Sequence, residues 1–77
     1  MDAADLDNRF SYHPPHGDQT QRYEAIRARA KDFAALLNGF CPDSREKSLA
    51  VTALEEAVMW ANASIARNEA APAAPAS

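Results

Sequence analysis

Apolar side chains recur along the chain at spacings of three and four. Tyr23, Ile26, Ala30, Phe33 and Leu37 make one stripe, and Leu49, Ala53, Leu54, Ala57, Val58, Ala61 and Ile65 make a second. Both have the period of an amphipathic helix, and no stretch alternates as a strand does. The spacing predicts a first long helix from about Asp18. Gly17 ends the turn before it, Asp18 is placed to cap it, and Gln21 completes a capping box. Asn38-Gly39 is expected to stop it through a left-handed residue. After "CPDSRE" the second helix is predicted to start on an Asp43 cap, with Glu46 in the capping-box position, and to run to Arg67 or Asn68. The link from Gly39 to Pro42 is short, so the two rods fold back as an antiparallel hairpin. The expected fold is all-α: a short N-terminal arm or helix followed by an antiparallel two-helix hairpin. A single domain spans residues 1–69. Residues 70–77, "AAPAAPAS", form an Ala/Pro tail with nothing to bury and are expected to be disordered.

Two short runs exceed what a hairpin can use. "FAALL" at 33–37 and "AVMWA" at 57–61 are each five apolar residues in a row. At about 100° per residue such a run covers every side of a helix, whereas a hairpin covers one side of each member. The surplus predicts burial against other copies of the chain, in a compact homo-oligomer. A third short helix over residues 3–10, lying on one belt, is the other way to cover it. Size points toward association too. A chain of 77 residues buries only about 60% of its unfolded surface and is marginal without a staple. Cys41 is the single cysteine, so no internal disulfide can supply one, a pattern that fits a reducing compartment.

Charge and composition narrow the function. A formal charge of −3 argues against coating of long nucleic acid. The acidic start "MDAADLDNR" has no apolar core of a secretory signal, and no apolar run approaches a membrane span. Within this acidic chain the cations are concentrated in "RYEAIRARAK", residues 22–31. Arg27 and Lys31 share one helical face, and Lys31 has no carboxylate three or four residues away, which suits an anion such as a phosphate. The competing reading is a solvated basic face, or ion pairs with Glu55 and Glu56, since mirroring the hairpin about residue 40 or 41 sets Arg27 beside Leu54.

The arm "NRFSYHPPHGD", residues 8–18, holds two aromatics, an arginine and two histidines but no aliphatic side chain. It is expected to enter at the open end of the hairpin, near Trp60 and Tyr23. Phe10 is expected to plug the core, while Tyr12 suits a ligand, its ring stacking and its hydroxyl seeking a polar partner. Pro14 and Pro15 stiffen the arm and lower the cost of presenting it. His13 and His16 cannot hold zinc without acidic residues to complete the set, and no metal or cofactor is expected. Ser11, Ser44, Ser48 and Ser64 lack a nucleophile elbow, Glu55 and Glu56 point in two directions, and two glycines cannot make a phosphate loop. The residues describe a binding protein, not an enzyme.

Three blocks, "NRFSYHPP", "RYEAIRARAKDFA" and "CPDSREKSLAVTALEEAVMWANASIARN", together resemble the phage anti-CBASS protein 2 family over about residues 8–68. That resemblance implies an all-helical hexamer, a trimer of interlocked dimers, working in the cytoplasm of the infected bacterial host. It implies a sponge that sequesters cyclic dinucleotides between protomers, and cyclic trinucleotides at separate sites, without cleaving them. On this pattern Tyr12 stacks on a base and Arg27, or Lys31 one turn on, meets the dinucleotide. Arg67 of the terminal "IAR" meets trinucleotide phosphates, and Asn8, Ser11 and His13 lie at the pocket rim. An adaptor hairpin that docks another protein, a sponge for a different nucleotide signal and a small hydrolase of signalling nucleotides are the alternatives.

Overall fold

The computed structural model describes residues 1–70. The expected Ala/Pro tail therefore lies, but for Ala70, outside the described residues. Three helices follow one another: α1 (Ala3–Phe10), α2 (Gln19–Phe40) and α3 (Arg45–Asn68). No strand occurs among the described residues.

The helix termini form by means the sequence only partly announces. Gly17 does turn the chain, at φ 57°, a conformation glycine adopts without steric cost. Asp18 occupies the N-cap position of α2 but makes no capping bond with its side chain. Its carboxylate instead accepts from Arg22 Nε at 3.1 Å. The expected capping box with Gln21 is thus absent. At the far end α2 runs through Gly39, which does not take a left-handed conformation. What stops it is Cys41, extended at ψ 137° because a following proline disfavours the helical region. The last carbonyls are satisfied by Cys41 N–H, donating to Leu37 at 3.0 Å, and by Lys47 Nζ, donating to Asn38 at 2.9 Å. Lys47 also holds the Asp43 carboxylate at 2.7 Å and keeps it below its ordinary pKa. With Asp43 so engaged, Ser44 caps α3 instead, its Oγ accepting from Lys47 N at 3.1 Å.

α2 and α3 pack antiparallel along one seam. Ile26, Ala30, Ala34 and Leu37 of α2 are half-buried against Val51, Leu54, Val58, Ala61 and Ile65 of α3. The seam is narrower than the predicted stripes. Phe33 lies outside it, 51% exposed, and Ala34 takes its place; Leu49, Ala53 and Ala57 are exposed as well. α1 forms over the residues where a third helix was considered. Asp2 caps it, accepting from Asp5 N at 2.8 Å, but α1 covers neither belt. Its Phe10 is 84% exposed and does not plug the core.

No apolar side chain is buried among the described residues. The molecule measures 58 × 30 × 13 Å, and its thinnest dimension admits a single layer of helices, each about 10–12 Å across. Its radius of gyration is 16.7 Å, against about 11.5 Å for a compact chain of this length. Trp60, Met59, Leu49, Phe33 and Phe40 are all more than half exposed. Hiding one such side chain fully contributes about 1.5–3 kcal/mol, so five together rival the roughly 5–15 kcal/mol that holds a whole domain folded. Thermal unfolding followed by circular dichroism is therefore expected to shift to higher temperature as protein concentration rises. A melt independent of concentration would show that one chain is stable with these faces in water.

Candidate functional site

The register of the hairpin decides where the cations stand. Gln19 Nε2 donates to the Ile65 carbonyl at 3.4 Å and Lys47 reaches Asn38, which puts the mirror near residue 42. Arg27 is then level with Ala57 and Val58, about a turn further along α3 than a mirror at residue 40 or 41 sets it. Neither Arg27 nor Lys31 forms an ion pair among the described residues, so the pairing with Glu55 and Glu56 is not realised. Lys31 and Glu55 flank a shallow groove floored by Ala30, Ala34, Leu54 and Val58 without closing into a bridge. At about 100° per residue Arg27 and Lys31 occupy one flank of α2, and Arg29, Phe33, Leu36 and Phe40 the other. Both flank cations are exposed.

The second flank borders an open apolar groove of about 510 Å³, walled by Ala25, Arg29 and Phe33 on α2 and Leu54, Ala57 and Ala61 on α3. Asn62, on α3, has a side-chain oxygen that is buried and accepts no hydrogen bond among the described residues.

The arm gathers the remaining candidates unevenly. Asn8, His13 and Arg67 line one pocket of about 250 Å³ together with Pro14, His16, Ala66 and Glu69. His13 Nε2 donates to the Asn8 carbonyl at 2.7 Å, using one of the last free carbonyls of α1. Arg67 is half-buried and makes no ion pair among the described residues. Ser11 does not line this pocket and donates from Oγ to Asp7 at 3.3 Å. Tyr12 is 84% exposed. Within one chain, then, Asn8, His13 and Arg67 come together, Arg27 and Lys31 stand midway along α2, and Tyr12 projects from the arm. Among the described residues no group of three or more His, Cys, Asp or Glu side chains could hold a metal ion.

The tightest polar structure in the molecule joins residues whose partnership sequence reasoning missed. Arg22 grips Glu69 with two bonds of 2.6 Å, Nη1 to Oε2 and Nη2 to Oε1. Gln19 Nε2 adds a bond to Glu69 Oε1 at 3.0 Å, and the His16 backbone N–H donates to Gln19 Oε1 at 3.2 Å. Gln19 is 2% exposed, the one buried residue described. A signal existed: Glu69 sits just beyond the C-terminus of α3, where an anion opposes the helix dipole. An antiparallel hairpin brings that position to the start of α2, where Arg22 waits. The bonds from Arg22, then from Gln19, hold the Glu69 carboxyl at a pKa of about 2, below its usual 4.5, with a smaller contribution from nearby His16. The same grip raises Arg22 above its ordinary value.

A helical hairpin with one polar clamp, unpaired cations on its flanks and an uncovered apolar face places the chain among small all-helical proteins. A family profile described as the Acb2/Tad1 hairpin domain matches residues 2–66, and the chain belongs to that family. The resemblance seen in the sequence blocks is thereby established, and the family is one of anti-defence sponges that sequester rather than catalyse. No curated protein and no solved structure matches the chain. Among the described residues no helix is long and apolar enough to cross a membrane.

The lowered Glu69 pKa fixes the sign of a pH effect. A carboxyl depressed on folding stabilises the folded state above its unfolded pKa, and that contribution is lost as pH falls through the folded value. Glu69→Gln is expected to lower the melting temperature at pH 7. The gap from the parent protein should narrow as pH drops from about 4.5 toward about 2. A gap that stays constant across that window would remove the carboxylate as its cause.

Proposed function

We propose that copies of this chain assemble into a compact homo-oligomer, a hexamer built as a trimer of dimers. In this reading the assembly binds cyclic di- and trinucleotide immune messengers, such as 3′,3′-cyclic GMP-AMP, in the cytoplasm of an infected bacterium. It sequesters them without cleavage and so blocks activation of host effectors. One observation carries this reading: the hairpin leaves Arg27, Lys31 and Arg67 without carboxylate partners among the described residues while its apolar faces stay uncovered. Family membership supports the sponge role.

The chemistry suits a doubly charged ring. A cyclic dinucleotide carries two phosphates and two bases, so two copies of Tyr12 and two of Arg27, related by a twofold axis, match its shape. Lys31, one turn on, is the second choice of cation. Stacking contributes about 1–3 kcal/mol per base, and a charge-assisted bond about 1.5–3 kcal/mol. Pre-ordering of the Pro14-Pro15 arm lowers what must be spent on binding. Arg67 takes the phosphates of a trinucleotide, with Asn8 and His13 beside it in the same pocket; Ser11 is assigned to the rim of the dinucleotide site. No metal or cofactor enters the scheme.

The apolar groove between Phe33 and Ala57 favours a second reading, in which the hairpin is an adaptor that docks a helix of another protein. A native mass spectrum with and without cyclic GMP-AMP separates the two: the sponge appears as an oligomer that gains intact ligand mass, the adaptor as a species that gains none. Linear nucleotide recovered after incubation would instead indicate hydrolysis.

Tyr12→Ala is expected to weaken cyclic GMP-AMP binding by about tenfold or more, from the loss of stacking, with the oligomer unchanged. Equal affinity by calorimetry would take Tyr12 out of the site. Arg67→Ala is expected to weaken trinucleotide binding chiefly, and a loss confined to dinucleotides would reverse the two assignments.

A further inference from the structure

The clamp has a relation to Arg67 that fold stability alone does not require. Gln19 bonds to three separate segments: the arm at His16 N, the last turn of α3 at the Ile65 carbonyl, and Glu69 beyond it. Arg67 lies midway between the two α3 anchors, Ile65 and Glu69. Its pocket has one wall from the arm, at His13, Pro14 and His16, and the other from Ala66, Arg67 and Glu69. Gln19 therefore ties both walls together. Glu69 is itself a lining residue and the only carboxylate lining the pocket. Both of its oxygens are taken by Arg22, which leaves Arg67 with a positive charge that no acidic neighbour cancels among the described residues.

We propose that Gln19, Arg22 and Glu69 are positioning residues for Arg67: they set the spacing of the pocket walls and hold the Glu69 carboxylate off Arg67, so that the guanidinium is kept for an anionic ligand. This rests on the reading of Arg67 as a phosphate-binding residue. Arg22 spends its charge on keeping another arginine unpaired. Among the four cations of residues 22–31 it is the one held in an ion pair, whereas Arg27 and Lys31 stay open on one flank and Arg29 on the other.

The inference predicts an unequal pattern among three variants. Arg22→Gln frees a full negative charge beside Arg67. Glu69→Gln breaks the same bridge but removes the charge, as does the double variant. Calorimetry with cyclic tri-AMP is expected to show about a tenfold or greater loss for Arg22→Gln, as expected when a preorganised cation is neutralised. Glu69→Gln should lose clearly less, and the double variant should match Glu69→Gln. Cyclic GMP-AMP affinity and oligomer mass should stay within about twofold of the parent, since that site is built elsewhere. Equal losses in all three variants, an equal loss for cyclic GMP-AMP, or no loss at all would overturn the proposal. Amide exchange at His13, His16 and Gly17 is measured on the same proteins without ligand. Faster exchange at His16 in a further variant, Gln19→Ala, which removes all three bonds of the tie, supports it, and unchanged exchange there overturns it. Should the parent protein bind no cyclic nucleotide, the sponge reading falls while the exchange result still judges the clamp.

Discussion

Two helices packed side by side can hide one stripe each, and this geometric limit governs the molecule. The seam from Ile26 to Leu37 against Val51 to Ile65 uses that allowance and leaves no apolar side chain fully buried. Three of the nine seam residues are small: Ala30, Ala34 and Ala61 bring the backbones close while contributing little area. The larger apolar groups, Phe33, Phe40, Met59 and Trp60, lie outside it. A chain that places its biggest hydrophobic side chains on the outer faces of a single helical layer leaves more apolar surface in water than a compact monomer usually does. The scaling of surface with mass agrees: the exposed area is 6251 Å², against about 4,600 Å² for a compact protein of 8.4 kDa.

Polar chemistry does the work at the two ends that the apolar seam cannot. At the loop, Lys47 bridges Asn38 and Asp43 and leaves the cap of α3 to Ser44. At the open end, Gln19, Arg22 and Glu69 fasten the arm and both helices. The apolar seam sets the register, these two locks agree with it at either end, and the register distributes the charges. It places Arg27 and Lys31 on a flank without carboxylate partners and gathers Arg67 with the arm. The pattern of spent and unspent cations is therefore a consequence of where the hairpin is pinned, not of how many arginines it has.

Family membership and geometry meet at this point. A sequestering protein needs charge and ring surface held in place, with slow release and no acid–base machinery. Arg22 is clamped, Arg27 and Lys31 are open on a flank, and Arg67 lines a pocket. Tyr12, exposed on a proline-stiffened arm, is the ring that the proposed function pairs with one of them from another copy. Within one chain the candidate residues do not converge on one cavity, as expected if a site is completed between copies.

The sequence by itself determined the all-α class, the two long helices and their antiparallel return, because a period of 3.6 and a short Pro-containing link allow little else. It also carried the family blocks and the surplus of apolar positions, since both are properties of residue order. Only the tertiary structure decided the details that depend on partners distant in the chain. Local spacing allows Asp18 and Asp43 to cap, but Arg22 and Lys47 take their carboxylates. Gly39 suits a helix stop, yet Lys47 and the residue before Pro42 end the helix instead. Phe10 is hydrophobic enough to plug a core, but α1 does not reach the seam. Glu69 lies just past the predicted end of the second helix, and only the fold brings it, 47 positions away, against Arg22. Local pattern reports which conformations are cheap for a segment, whereas competition among several partners for one charge is resolved only when the segments meet.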